Sequence, residues 1–248
     1  MPPPHTAIGV LAGAIHRLET NPMPAAIKPP VSELFQTVAP EMPFVRRMMF
    51  ANLWLFGPLV RRQLARSPAT NAAIRTTSAV TIVKGGTRDN VLPKSASAVV
   101  NFRILPGEST ASTIEYARRV IGDPRVDIKP VKREEPSPVS AKDSAGFRTI
   151  ATTIRQIFPN AVVAPALVVA RTDSAHFLAI TDGAYRFRPL QLTAPDLNRI
   201  HGTNERLAID SYGGLIKFYV QLLRNGAGDA TDPRQPAHPQ EPAGSGPS

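Results

Sequence analysis

The chain has 248 residues, 42% of them hydrophobic and 19% charged, which argues against a largely disordered protein and leaves room for one large core or two smaller ones. Its formal charge of +10 is scattered as pairs such as Arg46–Arg47, Arg61–Arg62 and Arg118–Arg119 through apolar segments. That scatter speaks against specific nucleic-acid binding and for a diffuse field that could attract anionic small substrates.

No cysteine is present, so disulfides, thiolate metal ligands and a cysteine nucleophile are excluded; any metal must be held by His, Asp or Glu. Met1 is followed by PPPHTAIG rather than by a basic patch and an apolar run, so no signal peptide is read. Localisation stays open.

In chain order, HTAIGVLAGAIHRLET (5–20) places Ile8, Leu11, Ala12, Ile15 and Leu18 on one helical face and ends at NPMP. PFVRRMMFANLWLFGPLVRRQLAR (43–66) reads as a second helix, interrupted near Gly57 and Pro58. Within it, MMFANLWLFGPLV is too short for a membrane span, which needs about 20 apolar residues. It reads as a packing helix or a partner surface.

The period then changes. TTSAVTIVKGG (76–86) and SASAVVNFRILPG (95–107) are alternating and β-branched, and TRDNVLPK between them is turn-forming, which predicts two antiparallel strands. STASTIEYARRVIG (109–122) predicts a helix capped by Ser109 or Thr110, and RVDIKPVKRE (125–134) a further strand. EEPSPVSAKDS (134–144) is the expected crossover to a second domain.

Beyond it come a helix at 145–158, a buried strand AVVAPALVVA (161–170), a short helix after RTDS, a strand YRFRPL (185–190), a turn at His201, and a final helix from about Glu205 to Leu223. From Gly226 onward the Pro- and Gly-rich tail cannot bury a core and is expected to be disordered.

Three constellations could carry chemistry. His201 is either a surface histidine or a ligand; Gly202 would permit an unusual backbone angle and Asn204 and Glu205 could cap the following helix, fixing the imidazole. Thr172, Asp173 and Ser174 are either a helix cap or a site at a strand end, with His176 behind them read as packed. Asn90 in the hairpin turn and Arg103 in the returning strand form the third; the Arg103 guanidinium either reaches solvent or faces a carboxylate in a cleft. Glu134 and Glu135, adjacent on an extended segment, point to opposite faces and read as solvated linker residues.

The ordered motifs GGTRDNVLPKSASAVVNFRILPG, RTDSAHF, YRFRPLQL and RIHGTNERLAIDSY resemble those of the co-catalytic zinc exopeptidase and amidohydrolase family that includes aminoacylase and glutamate carboxypeptidase. NLWLFGPLVRRQLARSPATNAAIRTTSAVTIV narrows the resemblance to the branch of carboxypeptidase S and the N-fatty-acyl-amino-acid synthase/hydrolases, over about Pro2 to Asn225.

The resemblance implies an α/β fold: a two-layer antiparallel α/β lid (dimerisation) domain over 1–135 with inserted helices, the carboxyl-terminal part of a catalytic domain over 136–225, and a tail over 226–248. It implies hydrolysis of the amide bond of N-acyl amino acids or of carboxyl-terminal peptide bonds, with two zinc ions in the complete enzyme and a homodimer formed through the lid. His201 would be a zinc ligand, Asn90 and Arg103 would grip the substrate carboxylate, and Thr172, Asp173 and Ser174 would line the substrate.

Two positions depart from the branch: Arg171 stands where Gly is common, and Ala175 where many members have Arg. The family's His-x-Asp motif, bridging Asp, Glu-Glu pair and further acidic ligand have no counterpart in the chain. The expectation is therefore a carboxyl-terminal half that is inactive or nearly so alone, since one His cannot complete a four-coordinate zinc site. The alternative is a non-catalytic lid and dimerisation module.

Overall fold

The computed structural model describes residues 3–170, 172–197 and 199–227. They group into two compact units: residues up to 142 together with 162–186, and residues 143–161 together with those from 187 onward.

In the first unit, α1 (Ala7–Thr20) starts where Thr6 Oγ1 accepts from the Gly9 N–H at 3.1 Å. After α2 (Val31–Val38) and a 3-10 turn (Ala39–Glu41), α3 (Phe44–Ala51) and α4 (Leu53–Leu64) run in succession, followed by α5 (Pro68–Ala72). The break between α3 and α4 falls at Asn52, not at Gly57–Pro58 as the sequence predicts. The Asn52 side chain donates to the Met48 carbonyl at 2.9 Å and so closes α3, while its own carbonyl accepts from Leu55 and Phe56 and opens α4. Pro58 stays inside α4 on an exposed face, where water can serve the Trp54 carbonyl that proline leaves without a donor.

The hairpin forms as predicted, but the expected alternation appears only on β2; β1 is exposed from Thr81 to Lys84. β1 (Thr77–Lys84) pairs antiparallel with β2 (Ser97–Arg103), Thr77 opposite Arg103 and Lys84 opposite Ser97, with a register shift between Val80 and Ile82. Side chains alternate along β2, so Val100 and Phe102 face inward while Val99, Asn101 and Arg103 face out.

α6 (Thr110–Ile121) has a reciprocal cap: Ser109 Oγ accepts from the Ser112 N–H at 3.1 Å and Ser112 Oγ from the Ser109 N–H at 3.0 Å. It ends on Gly122 at φ +55°, a left-handed position that glycine takes without a Cβ penalty. Ala14 and Leu18 of α1 meet Ala117 and Ile121 of α6 above Val100 and Phe102, giving two helices on one face of the hairpin. Arg17 fastens the helix pair by donating to the Ile121 carbonyl at 2.7 Å.

In the second unit, α7 (Ala145–Ile157) and α10 (Ile209–Ala227) pack together, Phe218 buried and edge-on to Phe187 at 5.2 Å. Asn225 of α10 donates to Thr153 Oγ1 and Gln156 Oε1 of α7, both at 2.8 Å, so the polar part of the seam is satisfied.

Three expected strands are absent: 125–134, 161–170 and 185–190 make no ladder pairing, and no residue of 161–170, expected to be buried, is buried. Each contains an interior proline, Pro130, Pro165 or Pro189, which removes a ladder donor. The α/β character therefore rests, among the described residues, on one two-stranded antiparallel sheet and its helices. The final helix begins at Ile209 rather than near Glu205 and includes Gly226 and Ala227; the rest of the expected disordered tail, 228–248, lies outside the described residues, as does Arg171.

Candidate functional site

The site residues expected in the first unit lie on β2, its hairpin turn, and the segment 162–186. Arg103, at the end of β2 and on its outer face, meets no carboxylate among the described residues; its Nη1 donates to the Val169 carbonyl at 3.1 Å. A few residues on, Thr172 Oγ1 and Ser174 Oγ lie 2.6 Å apart, and Arg186 Nε donates to both, at 3.0 and 2.5 Å.

Two guanidiniums thus hold one short stretch, at Val169 and at Thr172–Ser174. Both are exposed or partly so, and a guanidinium in such a place can take a substrate carboxylate through its fork of donors. Arg186 was not singled out by the sequence reading. Its signal in the sequence is its place in YRFRPLQL, one of the motifs that carry the resemblance, which names no role for the arginine.

The TDS turn is a helix start. Thr172 and Asp173 carbonyls accept from Ala175 and His176, at 3.1 and 3.0 Å, and open α8 (Ser174–Phe177). Asp173 occupies the cap position without a side-chain cap bond, Ala175 is half-buried, and His176 is exposed rather than packed. Asn90 sits at the exposed hairpin turn, where Val91 N–H reaches the Arg88 carbonyl at 3.4 Å. The turn and Arg103 belong to opposite ends of β2.

His201, in the second unit, is exposed in a turn with φ +60°. The left-handed angles fall on His201 and Asn204, not on Gly202. Neither Asn204 nor Glu205 caps the helix, because α10 begins four residues beyond Glu205; instead the Glu205 carboxylate turns back to accept from the His201 N–H at 3.2 Å. The loop before His201 is fixed by Asp196 of α9 (Ala194–Leu197), which accepts from the Thr193 N–H and hydroxyl at 2.9 and 2.6 Å and from Arg199 at 2.9 Å. These Thr193 hydrogen bonds, followed by the Arg199 charge, hold the Asp196 carboxyl below its ordinary range.

The described residues contain no group of three or more His, Asp or Glu side chains placed to hold a metal ion. His201 with Glu205 does not make a zinc site, because structural and catalytic zinc take three or four protein ligands. An open cleft of about 460 Å³ in the first unit is lined elsewhere, by Lys28, Gly107, Glu108 and the 135–139 strap. Its two carboxylates are engaged: Glu108 accepts from the buried Thr76 at 2.5 Å, and Glu135 accepts from the Thr110 N–H at the start of α6. Glu134 and Glu135 are both exposed on the linker, as expected; Glu135 in addition serves the start of α6, and Glu134 pairs with Lys132 at 2.6 Å.

The profile described as a peptidase dimerisation domain matches residues 3–128, the region that holds α1, the hairpin and α6. The chain is 40% identical over 94% of its length to the N-fatty-acyl-amino acid synthase/hydrolase PM20D1 of Xenopus tropicalis, and 43% identical over 91% to the probable carboxypeptidase S-like 2 of Dictyostelium discoideum. Carboxypeptidase S of Saccharomyces cerevisiae is 24% identical over 91% of the chain. The match covers 46%, 43% and 46% of these relatives, so the chain spans a little under half of their length. No solved structure matches. The dimerisation-domain match over residues 3–128 and this likeness along nearly the whole chain place the protein in the M20 peptidase family, in the branch of carboxypeptidase S and the N-fatty-acyl-amino acid synthase/hydrolases.

Proposed function

We propose that the chain serves in metal-dependent hydrolysis of an amide bond, in N-acyl amino acids or at the carboxyl end of peptides, and supplies the substrate-carboxylate side of the site. The supporting observation is the pair of guanidiniums, Arg103 and Arg186, on the segment that carries Thr172, Asp173 and Ser174. Both substrate classes end in a free carboxylate, which a planar guanidinium binds through parallel hydrogen bonds. Asn90 is assigned to the same grip from the hairpin turn.

The cofactor of this reading is zinc, two ions in the complete enzyme. When bound, zinc polarises a carbonyl and lowers the pKa of water. From this chain His201 is assigned as one ligand. The other ligands and the general base have to come from residues beyond those described, and by this reading the chain alone is inactive or nearly so. Residues 1–135 form the lid through which two copies pair, and 136–225 belong to the catalytic domain. The match of a dimerisation domain to residues 3–128 also favours a second reading, a lid and dimerisation module without catalysis of its own.

A chimera tests the proposal: the amino-terminal part of the Dictyostelium relative joined to this chain, assayed on N-acyl amino acids. Hydrolysis is expected, abolished by His201→Ala. Arg103→Ala is expected to raise KM about ten- to a hundredfold, the loss of one charge-assisted contact, with a smaller effect on kcat. A folded chimera in which both variants leave hydrolysis unchanged would sink the assignment, and a folded but inactive chimera would favour the module.

A further inference from the structure

The stretch that reads as a packing helix or a partner surface is, in the structure, largely uncovered. α4 packs inward through Gly57, Val60 and Phe56, and presents Trp54, Leu55, Pro58 and Leu59 outward. Trp54 is 81% exposed, and Phe44 at the start of α3 75%. Toward the end of α4 the exposed positions become Arg61 and Arg62, three and four residues beyond Pro58, and the exposed Arg66 follows in the turn after the helix. Between Met42 and Arg88 the sequence carries Arg46, Arg47, Arg61, Arg62, Arg66, Arg75, Lys84 and Arg88 and no Asp or Glu.

We propose that this face of α3 and α4 docks on an anionic lipid bilayer, lying in the headgroup region with Trp54, Leu55 and Leu59 inserted and the arginines on the phosphates. Charge complementarity selects the occupant. A twofold contact of the face with its own copy would bring a second set of the same positive charges and neutralise none of them. Nucleic acid offers the negative charge but no apolar layer for an exposed Trp, two Leu and a Phe. An anionic bilayer offers both, and aromatic residues beside basic ones are what an interfacial helix presents. Among the described residues no helix is long and apolar enough to cross a membrane, so the contact is one of lying on the surface. The inference does not depend on the hydrolase reading.

Trp54 is the chain's single tryptophan, so its fluorescence reports on this face alone. The 248-residue chain is titrated with vesicles of phosphatidylglycerol and phosphatidylcholine, and with phosphatidylcholine alone, and binding is read by flotation and Trp54 emission. The expected result is flotation and a blue shift with the anionic vesicles only, reversed by high salt. Arg61→Glu with Arg62→Glu should lower partitioning about thirtyfold or more, since each basic residue near an anionic surface contributes roughly fivefold. Leu55→Ser with Leu59→Ser should abolish the shift and the flotation.

The control, Lys129→Glu with Arg133→Glu, reverses two charges on the 125–134 segment and should leave both readouts as they are; circular dichroism checks that every variant is folded. No flotation and no shift with either vesicle would overturn the proposal. So would equal loss in the control, which would mean diffuse charge. Conversion of a dimer to a monomer by Leu55→Ser with Leu59→Ser would assign the face to a second copy, and a blue shift with duplex DNA instead of vesicles would assign it to nucleic acid.

Discussion

Asp123, just past the end of α6, accepts from the Arg125 side chain at 2.9 and 2.7 Å and from its backbone N–H at 3.1 Å, with Arg17 of α1 at 4.0 Å. The Arg125 hydrogen bonds are the main cause that pulls its carboxyl well below the ordinary 3.8. A depressed carboxylate pKa stabilises the fold above the unfolded value, and that contribution is lost as pH falls below about 4. Asp123→Asn should therefore flatten the acid limb of a plot of Tm against pH between about pH 5 and 2, while a parallel limb in the variant would show that Asp123 contributes nothing. Arg186 makes a different kind of residue-scale claim. Arg186→Gln should raise amide exchange across 172–177 with a stability change under about 1 kcal/mol, because the side chains it holds are largely exposed. Unchanged exchange would mean that the guanidinium does not hold the turn. The sequence shows this residue within the motif YRFRPLQL but not its role, because its partners lie 12 and 14 positions away and only the folded segment brings them together. His201, Thr172 and Ser174 could be named from local pattern, whereas their hydrogen-bond partners could not.

At the scale of elements, helices were the legible part. α1, α6 and α7 follow apolar periods and Ser or Thr caps that the sequence displays openly, and β2 of the hairpin follows its alternation while β1 does not. The α3–α4 break was misplaced because proline and glycine are the louder local signal, while Asn52 acts through a side-chain bond to Met48 that only the structure displays. The three absent strands fail for a non-local reason: a strand exists only with a partner, and β-branched composition around Pro130, Pro165 and Pro189 does not supply one. The cap of α6 gives a direct test. Ser109→Ala removes the oxygen that accepts from Ser112 and should cost about 1 kcal/mol in urea unfolding, with Ser109→Asp retaining most of it. Equal stability of the Ala and parent chains would show that Glu135 at the Thr110 N–H suffices to hold the helix start.

At the scale of the whole molecule, the chain joins two compact units, and the residues assigned to substrate and to metal are divided between them: Asn90, Arg103, Thr172, Asp173 and Ser174 in the first, His201 in the second. The dimerisation-domain match predicts a pair of chains in solution, checked by light scattering after gel filtration; a monomer at all concentrations tested would remove the lid's proposed role. The central proposal is that His201 serves as a zinc ligand and Arg103 in the carboxylate grip of an amidohydrolase site that the described residues alone do not complete. The most direct measurement is zinc content by elemental analysis of the purified chain and its His201→Ala variant, with hydrolysis of N-acyl amino acids followed on the same samples. The expected result is well under one zinc per chain and no hydrolysis in either. Near-stoichiometric zinc that vanishes with His201→Ala, together with hydrolysis by the parent chain, would contradict the claim and mean that this polypeptide builds a working metal site by itself.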